Sequence, residues 1–121
     1  MRLKQNLSSK SSQKMLEVEF NCSNIWDLIK FTEKKATSEN IDILCKHEHP
    51  GIRLACARRK IVSRQALENL AQSKEAEIRH AVAKNKKTPK KIIKQLIMDE
   101  IPFVANAAKQ HKNAKDFMAF F

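Results

Sequence analysis

Glycine occurs once, at Gly51, proline three times and tyrosine not at all. A chain so poor in turn-forming residues, yet rich in Ala, Leu, Ile, Lys and Gln, has the composition of an almost wholly helical protein, and a sheet-dominated fold is not expected. The lone glycine leaves no phosphate-cradling loop, and neither H-E-x-x-H nor G-x-S-x-G occurs, so no catalytic residue is assigned and no enzymatic activity is expected. No apolar run reaches the length of a membrane span. The opening MRLK is followed by QNLSSKSSQK where a signal peptide needs its apolar stretch, so a cytoplasmic protein without a membrane partner is expected.

Cysteine is equally uninformative as a framework. Cys22, Cys45 and Cys56 are odd in number and lack C-x-x-C spacing, which argues against disulfides and against a zinc knuckle. Cys45-x-His47-x-His49 is the one metal-like cluster, but residues two apart on a helix diverge, so the two histidines are read as polar turn residues before Pro50. No metal site and no cofactor are assigned.

What is present is a period. Ile78-Arg79-x-Ala81-Val82 repeats Ile52-Arg53-x-Ala55-Cys56 at a shift of 26 positions, and Val104-x-x-Ala107-Ala108 follows at the same shift. Ala66, Leu67, Leu70 and Ala71 fall on Ile92, Ile93, Leu96 and Ile97, and Ile41, Leu44 and Cys45 supply three of those four positions one unit earlier. Such self-similarity defines the architecture before any other feature. Cys45 and Cys56 stand at apolar positions of the period and are read as small buried hydrophobes.

Residues 1–20 form a polar, Ser-rich arm ending in Leu16, Val18 and Phe20, whose alternation with Glu17 and Glu19 favours an extended segment; residues 21–121 form the helical domain. Asn21 to Asn24 can cap a first helix carrying Ile25, Trp26, Leu28, Ile29 and Phe31, with Trp26 one period before Ile52 and expected in the core that closes the stack. Each unit then reads as a longer helix (38–46, 64–72, 89–98), a turn, and a shorter helix (51–59, 77–84, 102–110). Thr37, Ser63 and Thr88 are the candidate N-caps, with Pro89 at the first helical position. Apolar residues at i, i+3 and i+4 give each helix one buried stripe, so the predicted fold is all-α, a short α-solenoid of about three 26-residue two-helix units behind an N-terminal capping helix. The pattern stops within a unit. Phe117, Met118, Phe120 and Phe121 are expected to fold back as a cap on a monomer, with homodimerisation through them as the other outcome.

The period also separates families. Armadillo, HEAT and tetratricopeptide units are longer, and ordinary leucine-rich repeats need large residues where IRLACARRK and IRHAVAKNK have Ala. Ile78-Arg79-x-Ala81-Val82-Ala83-x-Asn85-x-x-Thr88-Pro89, followed by Leu96 and Asp99, resembles the leucine-rich repeat variant, a HEAT-like short α-helical repeat. The likeness spans residues 37–117. The unit at 52 departs from it with Arg59 in place of Asn and Val62-Ser63 in place of Thr-Pro, and the unit at 104 has Ala105 in place of Arg. The resemblance implies a right-handed superhelix of paired helices and leaves function open, because these repeats occur in proteins of unrelated roles. The N-terminal cysteine cluster of its iron–sulfur members is absent.

Charge supplies the functional signal. Of 24 Lys and Arg against 13 Asp and Glu, residues 52–94 hold 13 cations and three Glu, so the excess sits on two units. One predicted ridge comprises Arg58, Arg59 and Lys60, then Lys84, Lys86 and Lys87, then Lys112, all in the turns after the shorter helices. A second comprises Arg64, Lys90 and Lys91, at the first turn of the longer ones, where free N–H groups also favour an anion. These ten residues are the expected interface for nucleic acid, with DNA favoured over RNA, and duplex over single strands because Trp26 and most Phe are assigned to the core. The alternative is an adaptor that binds an acidic protein partner through the same face. Arg53 and Arg79, beside buried residues, are read instead as ties between units.

Overall fold

The computed structural model describes residues 22–115. The predicted arm, its extended segment and the four C-terminal apolar side chains from Phe117 on lie outside them. Among the described residues there are seven α-helices and no strand: α1 Ile25–Lys34, α2 Ser38–Leu44, α3 Pro50–Arg58, α4 Arg64–Leu70, α5 Ala76–Lys84, α6 Lys90–Ile97 and α7 Pro102–Lys109, followed by a 3₁₀ turn at Lys112–Ala114. No helix among them is long and apolar enough to cross a membrane.

Helices α1, α3, α5 and α7 form an inner row in which each packs directly on the next, while α2, α4 and α6 sit outside it, each against its sequence neighbours. The apolar positions of the period make the floor between the rows. Ile52, Ile78 and Val104 are buried, as are Cys56, Val82 and Ala108 and, on the outer helices, Ile41, Leu67 and Ile93 with Leu44, Leu70 and Leu96. Val62, Thr88 and Ala114 share one buried position in the turns. The thiols behave as apolar groups: burial pushes Cys45 up and Cys56 up to about 12, so neither is a thiolate at neutral pH.

Helix starts follow the expected chemistry with one exception. Asn24 accepts the Asp27 N–H at 2.9 Å, Thr37 and Asn40 form a reciprocal capping box, and Ser63 accepts the Ala66 N–H at 3.0 Å. Thr88 is not a cap. It is buried and donates to the Val82 carbonyl at 2.6 Å, and the cap position falls to Pro89, 26 residues after Ser63. The outer helices are also not the longer ones that the sequence predicts. The outer helices have 7, 7 and 8 residues and the inner ones 9, 9 and 8, because the last turn of each outer helix tightens to three-residue bonds such as His47 N–H to Leu44 O and Ser73 N–H to Leu70 O.

Trp26 does not enter the core: it is 70% exposed. The buried residues of α1 are Leu28 and Thr32, four apart like Ile52 and Cys56 of α3 but 24 rather than 26 positions before them. That two-residue slip turns α1 by about 200° relative to the period, and Trp26 faces outward.

One edge of the fold is held by arginines, as expected for Arg53 and Arg79. Arg53 Nη1 donates to Glu75 Oε1 at 3.0 Å and to Ser73 Oγ at 3.2 Å. Arg79 donates to both oxygens of Asp99, at 2.8 and 3.2 Å, and to the Ser73 carbonyl at 2.8 Å. The acceptors recur at one position of the period. His47, Ser73 and Asp99 each accept the backbone N–H two residues on, at 3.0, 3.2 and 2.9 Å, which draws the chain out of one helix and into the next. The buried Nε2 of His47 has no hydrogen-bond partner among the described residues, and burial holds its pKa down.

These contacts give a pH dependence of known sign. Bonds from Ser73 and then Arg53 hold the Glu75 carboxyl down to about 2, and the Arg79 bond, with the Ile101 N–H, holds Asp99 below its usual range. Both groups bind a proton more readily unfolded, at about pH 4, so their contribution is complete above about pH 5 and is withdrawn as the pH falls through about 4 toward 2. Urea midpoints measured across that window are expected to fall for the native chain. Asp99→Asn is expected to be less stable at neutral pH and to fall less steeply; a parallel fall in the two proteins would remove Asp99 from the account.

Candidate functional site

The opposite edge is made of the turns that follow α3, α5 and α7. They lie side by side because each reaches back to the one before. The Arg59 guanidinium donates to the carbonyls of Thr32 and Ala36, the latter at 3.0 Å. Asn85 Nδ2 donates to those of Ala57 and Arg59 at 2.8 and 3.0 Å, and His111 Nε2 meets the Asn85 carbonyl at 2.8 Å. Three chemically different side chains, 26 positions apart, thus bond to carbonyls at or just beyond the end of the preceding inner helix. Arg59 is therefore a brace and not, as predicted, a residue of the outward ridge. In the later turns the same side chain also shapes the next step of backbone: Asn85 Oδ1 accepts the Lys87 N–H at 2.9 Å and His111 Nδ1 the Asn113 N–H at 3.0 Å.

The other nine predicted residues are all exposed. Lys60, Lys86, Lys87 and Lys112 project from the braced turns, and Arg64 and Lys90 stand at the start of α4 and α6. Arg58 and Lys84 occupy the last turns of α3 and α5, where the carbonyl ends of the helices favour a cation, and both line a groove between those helices. Lys91 is separate. It lines a groove between the outer helices together with Asp42, Glu68 and Gln65, a surface of mixed sign. The ion pairs among the described residues engage Arg53 and Arg79, and none joins Arg58, Lys60, Arg64, Lys84, Lys86, Lys87 or Lys112 to a described carboxylate.

Sign is therefore segregated across the fold. The turns spanning 58–64, 84–91 and 110–115 contain no Asp or Glu, whereas Glu48, Glu75, Glu77, Asp99 and Glu100 all belong to the turns and helix starts of the arginine-tied edge. With few carboxylates nearby, the cations of the braced edge add rather than cancel, and a polyanion is the ligand such a field concentrates.

Sequence reasoning missed the groove between α3 and α5. Its floor is Leu54, Ile78 and Ala81 and its wall includes His80, whose ring meets Phe103 edge-on with centroids 5.3 Å apart. Phe103 is 48% exposed. The signal was available in the period, since Gly51, Glu77 and Phe103 share one position and Leu54, His80 and Asn106 another, facing away from the buried stripe. With Trp26 and Phe103 both accessible, the ground for preferring duplex over single strands is gone.

Cys45, His47 and His49 do not converge. The Cys45 thiol donates to the Asp42 carbonyl, while His47 Nδ1 and His49 Nδ1 each accept a backbone N–H. Among the described residues no group of three or more His, Cys, Asp and Glu is placed to hold a metal ion. Comparison of the chain with protein families, with characterised proteins and with solved structures finds no match.

Proposed function

We propose that this chain is a short right-handed α-solenoid of about three 26-residue units of the leucine-rich repeat variant kind, closed at one end by α1. In this reading it is a non-catalytic module that holds nucleic acid along its braced edge. The observation that carries the proposal is the segregation of sign: turns stacked through Arg59, Asn85 and His111 carry Lys60, Lys86, Lys87 and Lys112 with no acid among them. Units packed at roughly 8–10 Å set cations at regular steps, and a nucleic-acid strand presents phosphates at regular steps, which an acidic protein surface does not. Contacts of this type position a strand without reading its sequence.

The test is binding of labelled DNA and RNA fragments as a function of salt. If the four turn lysines each neutralise a phosphate, the logarithm of the affinity for duplex DNA falls linearly with the logarithm of salt, with a slope of about −3 to −4. Absence of salt-sensitive binding to any DNA or RNA at low ionic strength would end this reading, and retention of an acidic protein through nuclease treatment would put the adaptor in its place.

A further inference from the structure

Glu77, His80 and Lys84 stand at i, i+3 and i+7 on α5 and all line the groove against α3. They make one stripe of the helix, acidic in its first turn and basic in its last. Arg58 adds a second cation at the basic end, Leu54 an apolar floor, and Phe103, edge-on to His80 at 5.3 Å, an accessible aromatic ring beside the wall. The basic end is continuous with the edge that carries Lys60 and Lys86, through the turns that follow α3 and α5.

We infer that this groove takes a single-stranded nucleic acid, with phosphate on Arg58 and Lys84, a base stacked on Phe103 beside His80, and an exocyclic amino group of a base donated to the Glu77 carboxylate. The inference rests on the nucleic-acid reading above and narrows it to a strand class. Seven residues of helix separate Glu77 from Lys84, about 10 Å along the axis, which suits a nucleotide lying from phosphate to base edge. The order of chemistry matches that ligand part by part: cations for phosphate, an aromatic face for a base whose own stacking is open, and a carboxylate for an amino group. Duplex DNA does not fit, because its bases are stacked on each other and Phe103 has no face to meet. The carboxylate also sets a preference. Cytosine and adenine offer an amino donor at the base edge and thymine does not, so oligo(dC) and oligo(dA) are favoured over oligo(dT).

The experiment is fluorescence anisotropy of labelled oligo(dC), oligo(dT) and a duplex of equal length, with the native chain and with Phe103→Ala, Phe103→Trp and Glu77→Gln. Phe103→Ala is expected to weaken single-strand binding by roughly tenfold or more and to leave duplex binding unchanged, while Phe103→Trp, which keeps a stacking face, retains it. Glu77→Gln is expected to narrow the gap between oligo(dC) and oligo(dT). Far-ultraviolet circular dichroism of each variant reports whether the helices are intact, and Phe103→Trp answers for stacking should Phe103→Ala unfold. A native chain that binds nucleic acid but shows no preference for oligo(dC), or loses single-strand and duplex binding equally on Phe103→Ala, overturns the groove assignment alone. A native chain that binds no nucleic acid overturns the reading on which it rests.

Discussion

Leu70→Ala is expected to lower the unfolding free energy by about 2–5 kcal/mol, a large part of what a domain of this size has in hand. Leu70 is 1% exposed in the last turn of α4 and belongs to the continuous core that also holds Leu44 and Leu96 at the same position of neighbouring units. Truncation removes the side chain and leaves a cavity between two rows of helices whose own caps and braces resist collapse, so the cost is set toward the upper part of that range. Because neighbouring units share the core, unfolding is expected to remain a single transition. Urea denaturation checks both points. A change below about 0.5 kcal/mol, typical of exposed sites, would show that the outer helices are not sealed against the inner row.

Reversing the four turn lysines, Lys60, Lys86, Lys87 and Lys112, to Glu is expected to abolish nucleic-acid binding at physiological salt while the helical content is unchanged. Each is exposed, none pairs with a described carboxylate, and together they reverse the charge of turns whose own sequence holds no Asp or Glu. Arg59 is left intact by design. Its guanidinium holds the carbonyls at the end of α1, and its removal would confuse a binding defect with a loosened fold. Single Lys→Ala changes in the same set are expected to weaken all sequences alike and to flatten the salt slope by about one each. Undiminished binding by the fourfold variant, measured by anisotropy beside its circular dichroism, would move the interface away from this edge.

The fold was legible where identity repeats. Ile52, Ile78 and Val104, or Leu67 and Ile93, are apolar at a constant spacing because a buried position accepts only a narrow range of side chains, and the structure buries each of them. Caps were legible for the same reason when the residue was Thr37 or Ser63, whose hydroxyls suit free N–H groups. Thr88 shows the limit: a threonine hydroxyl can accept from a free N–H at a helix start or donate to an earlier carbonyl, and here it donates to Val82. The candidate site was legible as charge and illegible as direction. Arg58, Arg59 and Lys60 are three consecutive cations, and only the backbone geometry after α3 sends the middle one inward to two carbonyls and leaves its neighbours outside.

By itself, then, the chain determined its helices, its 26-residue period, its core positions and the unit pair that carries the positive charge, since all of these follow from local spacing and from burial that tolerates few residue types. Tertiary structure alone decided three things. Arg59, Asn85 and His111 do one job with a guanidinium, an amide and an imidazole, as His47, Ser73 and Asp99 do another, and a role filled by unlike groups leaves no repeated letter to read. Trp26 faces outward because α1 joins the core two residues out of step with the later units. The groove of Arg58, His80 and Glu77, with Phe103 beside it, exists because inner helices from different units pack on each other; the shared positions of these residues are readable in the period, but their meeting along one groove is not.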